Sequence, residues 1–181
     1  MACETYIALL RGVNVGGKHI LPMKALAELV SACKCRDVRT YIQSGNIVFA
    51  APHDVVRKLP DTLAKKIQER FGFGSPVILR TADELAQVCR NNPFLKRGAP
   101  ERELHVYFLS ETPTREAIQS LDANRSLPDA FRVIGREVYL HMPNGMGRTK
   151  LTSTYLDSRL ATVGTARNWT TVNKLLELAA E

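Results

Sequence analysis

The apolar periodicity of this chain runs strand, helix, strand, strand, helix, strand, and then passes through the same order again. Residues 5–10 (TYIALL) are a continuous apolar run of strand length. Pro22 suits the first turn of a helix, and Met23, Leu26, Val30 and Cys33 follow at helical spacing on one face. Residues 37–42 and 46–50 read as strands joined by Gln43-Ser44-Gly45. Leu59, Leu63, Ile67 and Phe71 mark a second helix that stops near Gly72, and Pro60 either opens its regular part or kinks it. Residues 76–80 (PVILR) supply the fourth strand.

Thr81 with Glu84 matches a capping box and predicts a linking helix over 82–91, closed by Asn92-Pro93. The charged stretch 95–103 (LKRGAPERE) has no periodic pattern and reads as an unstructured boundary. A strand over 104–109 then restarts the order, and Thr112 and Pro113 open a helix through Ala117, Ile118 and Leu121. Strands at 131–134 and 137–141 flank a Gly135-Arg136 hairpin turn. A helix carrying Leu151, Tyr155, Leu156 and Leu160 follows, then a short strand near 163–166. Asn168 caps a last helix with Val172, Leu175, Leu176 and Ala179 on one face. The expectation is an α+β chain of two ferredoxin-like βαββαβ halves in tandem plus a C-terminal helix, spanning 1–94 and 102–181. The repetition lies in element order; no residue-level repeat is visible.

A chain of 181 residues, 45% hydrophobic, can bury a core without disulfides or metals. No stretch of about 18 apolar residues predicts a membrane span, so no membrane partner is expected. The opening MACETYIALL carries an acid and no basic segment, which argues against a secretory signal. Cys3, Cys33, Cys35 and Cys89 lack framework spacing and read as reduced thiols of a cytoplasmic protein.

The net charge is +7, which favours anionic partners, and it is unevenly spread. Residues 144–174 carry Arg148, Lys150, Arg159, Arg167 and Lys174 against Asp157 alone, and residues 11–24 carry Arg11, Lys18 and Lys24 with no acid. Four glycine-bearing or polar stretches sit where strands end or helices start: LLRGVNVGGKH, IQSGNIVF, PNGMGRTK and GTARNWTTVNK. Glycines let backbone N–H groups converge on an anion, and helix N-termini attract one. The candidate ligand-binding residues are therefore Arg11, Asn14, Lys18, Ser44 and Asn46 from the first half. From the second come Arg148, Lys150, Arg167, Asn168, Trp169 and Lys174. Each has a structural alternative: Asn168 as a cap, Trp169 as a core anchor, Ser44-Gly45-Asn46 as a tight turn, the Arg11 loop as a shaped connection.

The strings LLRGVNVGGK, VRTYIQSGNIVF and GTARNWTTVNKLLEL closely resemble an uncharacterised bacterial family, the domain of unknown function 1697. The resemblance implies a cytoplasmic bacterial α+β protein. It carries over no catalytic residue, since the family has none assigned.

Several chemistries lack their motif. The glycine loops match neither the dinucleotide fingerprint nor the P-loop spacing. His19, His53, His105 and His141 are scattered and no CxxC occurs, so no metal and no cofactor are expected. There is no GxSxG. Strand one offers only Tyr6 and strand three Phe49 for base stacking, which argues against sheet-face RNA reading. The expected function is a binding module for an anionic, phosphate-containing ligand such as a nucleotide or nucleic acid, with the two halves forming a cleft. One alternative is an enzyme on a phosphorylated small molecule, with Tyr155, Asp157 or His141 as acid or base. The other is a protein-interaction or oligomerisation module.

Overall fold

A computed structural model describes residues 3–181. By contact density the chain divides into two compact units, one up to Ala86 together with Leu175–Glu181, the other Gln87–Lys174.

In the first unit, β1 (Glu4–Leu10) leads to α1 (Met23–Ser31), β2 (Arg36–Tyr41), β3 (Asn46–Ala51), the short α2 (His53–Val56), α3 (Leu59–Phe71) and β4 (Val77–Thr81). The strands lie in the order β2-β3-β1-β4, every neighbour antiparallel. Alternation along β1 turns Tyr6, Ala8 and Leu10 toward a core shared with Leu26 and Val30 of α1 and Leu63 and Ile67 of α3. Pro60 occupies the first turn of α3, where its missing N–H leaves no helical bond unmade, so it opens the helix and does not kink it. Gly72 closes that helix with φ 79, a left-handed conformation that disfavours side chains.

The capping box is present: Thr81 N–H donates to Glu84 Oε2 at 2.9 Å, and Glu84 N–H to Thr81 Oγ1 at 3.0 Å. It starts α4 (Ala82–Asn91). The stretch after it is not structureless. It forms two single 3-10 turns, Leu95–Arg97 and Glu101–Glu103, because Asn92 Oδ1 accepts the Phe94 and Leu95 amides and holds the first turn.

The second unit repeats the plan with β5 (Leu104–Leu109), α5 (Arg115–Gln119), β6 (Ala130–Ile134), β7 (Glu137–His141), α6 (Ser153–Leu160), β8 (Gly164–Asn168) and α7 (Trp169–Ala180). Its strand order is β6-β7-β5-β8, again antiparallel throughout. Each half thus has the ferredoxin-like order, with α7 as the terminal helix. Helix α5 begins later than Thr112-Pro113 suggests. Thr114 holds extended geometry and its hydroxyl accepts the Ala117 amide, so the cap falls there.

The halves also match in detail. Leu10 N–H donates to Gly45 O and Leu109 N–H to Arg136 O, both at 2.8 Å. Arg80 pairs with Ile7 just before the Thr81 cap, and Arg167 pairs with Val106 just before the Asn168 cap. Both arginines are buried, 1% and 7% exposed. Each donates to the preceding carbonyl, Arg80 to Leu79 O at 2.7 Å and Arg167 to Ala166 O at 2.8 Å.

Candidate functional site

At one end of the first sheet, three connections meet. Arg11 N–H donates to Pro76 O at 3.1 Å, Ser75 Oγ donates to Arg11 O at 2.8 Å, and the Leu10–Gly45 bond brings in the β2–β3 turn. Asn14 ties these together. Its side-chain N–H groups donate to Leu21 O and Gln43 O at 2.9 and 2.7 Å, and its oxygen accepts the Leu21 amide at 2.8 Å. Asn46 is fully buried and donates to Tyr41 O at 3.1 Å and to Ser44 Oγ at 3.4 Å. So Asn14, Ser44 and Asn46 come together, with their hydrogen bonds directed at the chain itself. Val15-Gly16-Gly17-Lys18 forms a tight turn beyond them, and exposed Lys18 closes it, its N–H donating to Val15 O at 3.1 Å. His19 stacks on Phe73 with centroids 4.6 Å apart. Elsewhere in this unit a recess of about 170 Å³ is lined by Thr5, Asp37, Arg39, Val48, Ala179 and Glu181, and its arginine is occupied by Glu181 at 2.6 Å.

In the second unit, Asn168 caps α7: its Oδ1 accepts the Thr171 amide at 2.8 Å. Trp169 is 2% exposed and contributes to the interior. Arg167 donates to Thr165 Oγ1 at 2.9 Å as well as to Ala166 O, and burial pushes its guanidinium down to about 10, still charged at neutral pH. Lys174 is half-buried. Of these four residues, Arg167 and Trp169 are buried and Asn168 is exposed at the helix start.

Arg148 and Lys150 are different. Both are exposed, on the segment between β7 and α6. That segment is stapled to the loop before β6. Lys150 N–H donates to Ser126 Oγ at 2.8 Å, Ser126 Oγ lies 3.3 Å from Thr149 Oγ1, and Arg125 Nε donates to Lys150 O at 2.9 Å. The staple brings exposed Arg125 beside Lys150 and sets its guanidinium 3.9 Å from the ring centroid of Tyr155. Exposed Arg159, one helical turn after Tyr155, lies 5.8 Å from the same centroid. Tyr155 is fixed in turn, since its hydroxyl accepts the Asp122 amide at 2.8 Å. Arg125 and Arg159 thus share one ring, and Arg125 is tied to the loop that carries Arg148 and Lys150. None of the four forms an ion pair among the described residues. The nearby Asp129 carboxylate accepts the Ser126 hydroxyl at 2.7 Å, and Asp122 accepts the Asn124 amide at 2.9 Å.

The residues considered as acid or base have other occupations. Asp157 Oδ1 accepts the Tyr107 hydroxyl at 2.6 Å and the Gly164 amide at 3.1 Å. His141 lies 3.0 Å from Glu103, and its ring is 5.7 Å from that of Phe94. Val138 and Leu140 share the core with Tyr155, so alternation along β7 puts His141 on the other face of the sheet. Among the described residues, no group of three His, Cys, Asp or Glu is arranged for a metal ion.

Sequence reasoning missed Arg125 and Arg159 as site members. Arg159 had a signal, being four residues after Tyr155 on a predicted helix, where side chains meet. Arg125 had none, because only the tertiary staple brings it to Lys150.

The fold and site define an α+β protein of two ferredoxin-like halves with a basic loop cluster in the second. The chain belongs to the family described as Protein of unknown function (DUF1697), whose profile matches residues 3–139. The match ends before Arg148, Lys150 and the GTARNWTTVNK string. Among solved structures, the chain is similar to the conserved bacterial protein SP0830 from Streptococcus pneumoniae. The TM-score is 0.76 at 21% identity, covering 99% of this chain and 100% of that one, a likeness of fold. No curated protein matches.

Proposed function

We propose that the protein is a cytoplasmic binding module for a phosphate-bearing anion, taken by Arg125, Arg148, Lys150 and Arg159. One observation carries this: exposed Arg125 and Arg159 share the Tyr155 ring, and a staple ties Arg125 to the loop that carries exposed Arg148 and Lys150, with no acid paired to any of the four among the described residues. Like charges held together without counter-charge destabilise the fold slightly, and a phosphate group relieves that repulsion while accepting bidentate hydrogen bonds from the guanidiniums. The reading keeps Arg148 and Lys150 from the sequence candidates, adds Arg125 and Arg159, and leaves Asn14, Asn46, Asn168 and Trp169 to structural work. Lys18, on the other unit, is outside it. The four free cysteines fit a reducing compartment. An enzymatic reading draws less support, since Tyr155, Asp157 and His141 are each engaged in the frame.

The test is titration with inorganic tripolyphosphate and with a short oligothymidylate at several salt concentrations. Saturable binding is expected, and four phosphate contacts give a slope of log K on log salt of about −3 for a single strand. Arg148→Glu with Lys150→Glu should abolish it. Equal affinity in wild type and double variant, or no binding by either, refutes the proposal.

A further inference from the structure

Among the described residues, the large apolar side chains left exposed are all aliphatic: Val15, Ile20, Ile42, Leu127, Ile134, Met146 and Val163. Scattered singly, such residues need no explanation. Two of them are not scattered. Leu127, 70% exposed, follows Ser126 of the staple, and Met146, 38% exposed, lies on the partner loop with Arg148 and Lys150. The basic cluster therefore has aliphatic tips on both of the loops that form it. The tip of the Met146 loop is held by Gly145 N–H donating to Met142 O at 3.0 Å and Arg148 N–H to Gly145 O at 3.3 Å, so Met146 has a defined position between them.

The pairing of side-chain types discriminates between phosphate sources. A single-stranded nucleic acid is gripped by aromatic faces on which bases stack, and no large aromatic is exposed here. A free metabolite has no use for two solvent-facing aliphatic tips. An anionic lipid layer uses both features, with phosphates spread across a plane for cations on separate loops and an acyl boundary just beneath for aliphatic side chains. We infer that the occupant of the basic cluster is the surface of an anionic bilayer, with Leu127 and Met146 entering the boundary between headgroups and acyl chains. This rests on the anion-binding reading of the same cluster and names its partner. It departs from the expectation, drawn from sequence, of no membrane partner. No described helix is long and apolar enough to cross a membrane, and surface binding of this kind needs none.

The experiment is co-flotation of the full chain with vesicles of phosphatidylcholine alone and of phosphatidylcholine mixed with phosphatidylglycerol, beside the tripolyphosphate and oligothymidylate titrations. Each cation near an anionic surface contributes about fivefold in affinity, so wild type is expected on the mixed vesicles and not on the neutral ones. Leu127→Ser with Met146→Ser should weaken vesicle binding by roughly tenfold or more while leaving tripolyphosphate binding unchanged, since both side chains are exposed and contribute little to the fold. Arg148→Glu with Lys150→Glu should lose both. Binding of tripolyphosphate without vesicle binding overturns the lipid inference and leaves the anion site standing. Tighter binding of oligothymidylate than of vesicles also overturns it, in favour of nucleic acid. Vesicle binding indifferent to the aliphatic double variant removes the insertion step and with it the inference. Failure to bind any of the three sinks both readings.

Discussion

Replacing Gly164 by alanine puts a single methyl where the structure has no room for it. A Cβ at this position meets Tyr107 Cε1 at 2.2 Å, Tyr107 Cδ1 at 2.7 Å and the Phe108 carbonyl oxygen at 2.8 Å. The backbone at Gly164 is not in the left-handed region, so the penalty is steric. The Tyr107 ring is 1% exposed and cannot swing into solvent. If it shifts within the core, it loses its hydroxyl bond to Asp157, whose same oxygen accepts the Gly164 amide. Overpacking of this kind costs about 1–3 kcal/mol, and a lost hydrogen bond to a charged group about 1.5–3 kcal/mol, so Gly164→Ala should destabilise by about 2.5–6 kcal/mol. Urea unfolding measures this directly, with the midpoint lowered and the slope unchanged. Gly147→Ala is the control, because nothing lies within 4 Å of its Cβ and its φ is not positive, so a change within about 0.5 kcal/mol is expected. The steric account also predicts coupling, since in a Tyr107→Val background the Gly164→Ala penalty should fall by more than about 1 kcal/mol. A Gly164→Ala loss below 1 kcal/mol, or a penalty equal in both backgrounds, refutes the reasoning.

Two further predictions concern titration. Burial lowers the His105 pKa from 6.5 and outweighs a hydrogen bond with the Glu103 backbone that raises it, so the unfolded chain takes up this proton more readily than the folded one. Its contribution is fully present above pH 6.5 and is lost as the pH falls below that value, at up to about 1.4 kcal/mol per pH unit. The urea midpoint of wild type should therefore drop more between neutral and mildly acid pH than that of His105→Asn, and parallel drops would remove His105 as the cause. Burial pushes the Cys35 and Cys89 thiols up to about 11, whereas Cys3 is exposed. At mildly alkaline pH Ellman's reagent should modify Cys3 at once and Cys35 and Cys89 only on unfolding, and rates equal to that of Cys3 would contradict their placement.

What the sequence revealed and hid divides along the range of the interactions. The Thr81–Glu84 box is local, and both of its bonds appear where the pattern puts them. The strands follow from largely apolar runs such as Ile7–Leu10, all 1% exposed or less. The start of α5 slipped because two neighbouring threonines could each serve as cap and only the backbone geometry chose Thr114. The asparagines misled for a different reason. In a glycine-rich loop, an asparagine looks like a donor awaiting a ligand, yet Asn14 makes three bonds to the backbone of its own chain. Sequence supplies the donor and does not say which acceptor it meets. Arg125 was illegible for the same reason, since its place beside Lys150 depends on a bond spanning 25 positions.

The likeness of the two halves was hidden because burial preserves class and not identity. Ala8 and Tyr107 both pair with third- and fourth-strand partners at the same register, and Leu9 and Phe108 do likewise, without resembling each other letter by letter. Apolar positions tolerate such exchange when volume is redistributed. A buried guanidinium does not, because any substitute leaves its carbonyl and hydroxyl partners unsatisfied in a dry interior. Arginine recurs at Arg80 and Arg167, where the physics leaves least freedom. The loops obey the opposite rule. After β3 the chain reaches the core helix α3 through residues 52–58, which include α2, while after β7 it takes the longer stretch 142–152 to reach α6. That stretch, with the loop it is stapled to, carries three of the four unpaired cations. The sheets repeat because a four-stranded frame constrains its buried positions. The charge cluster occurs once because a solvent-facing loop is free to differ, which is why the proposed site belongs to the second half alone.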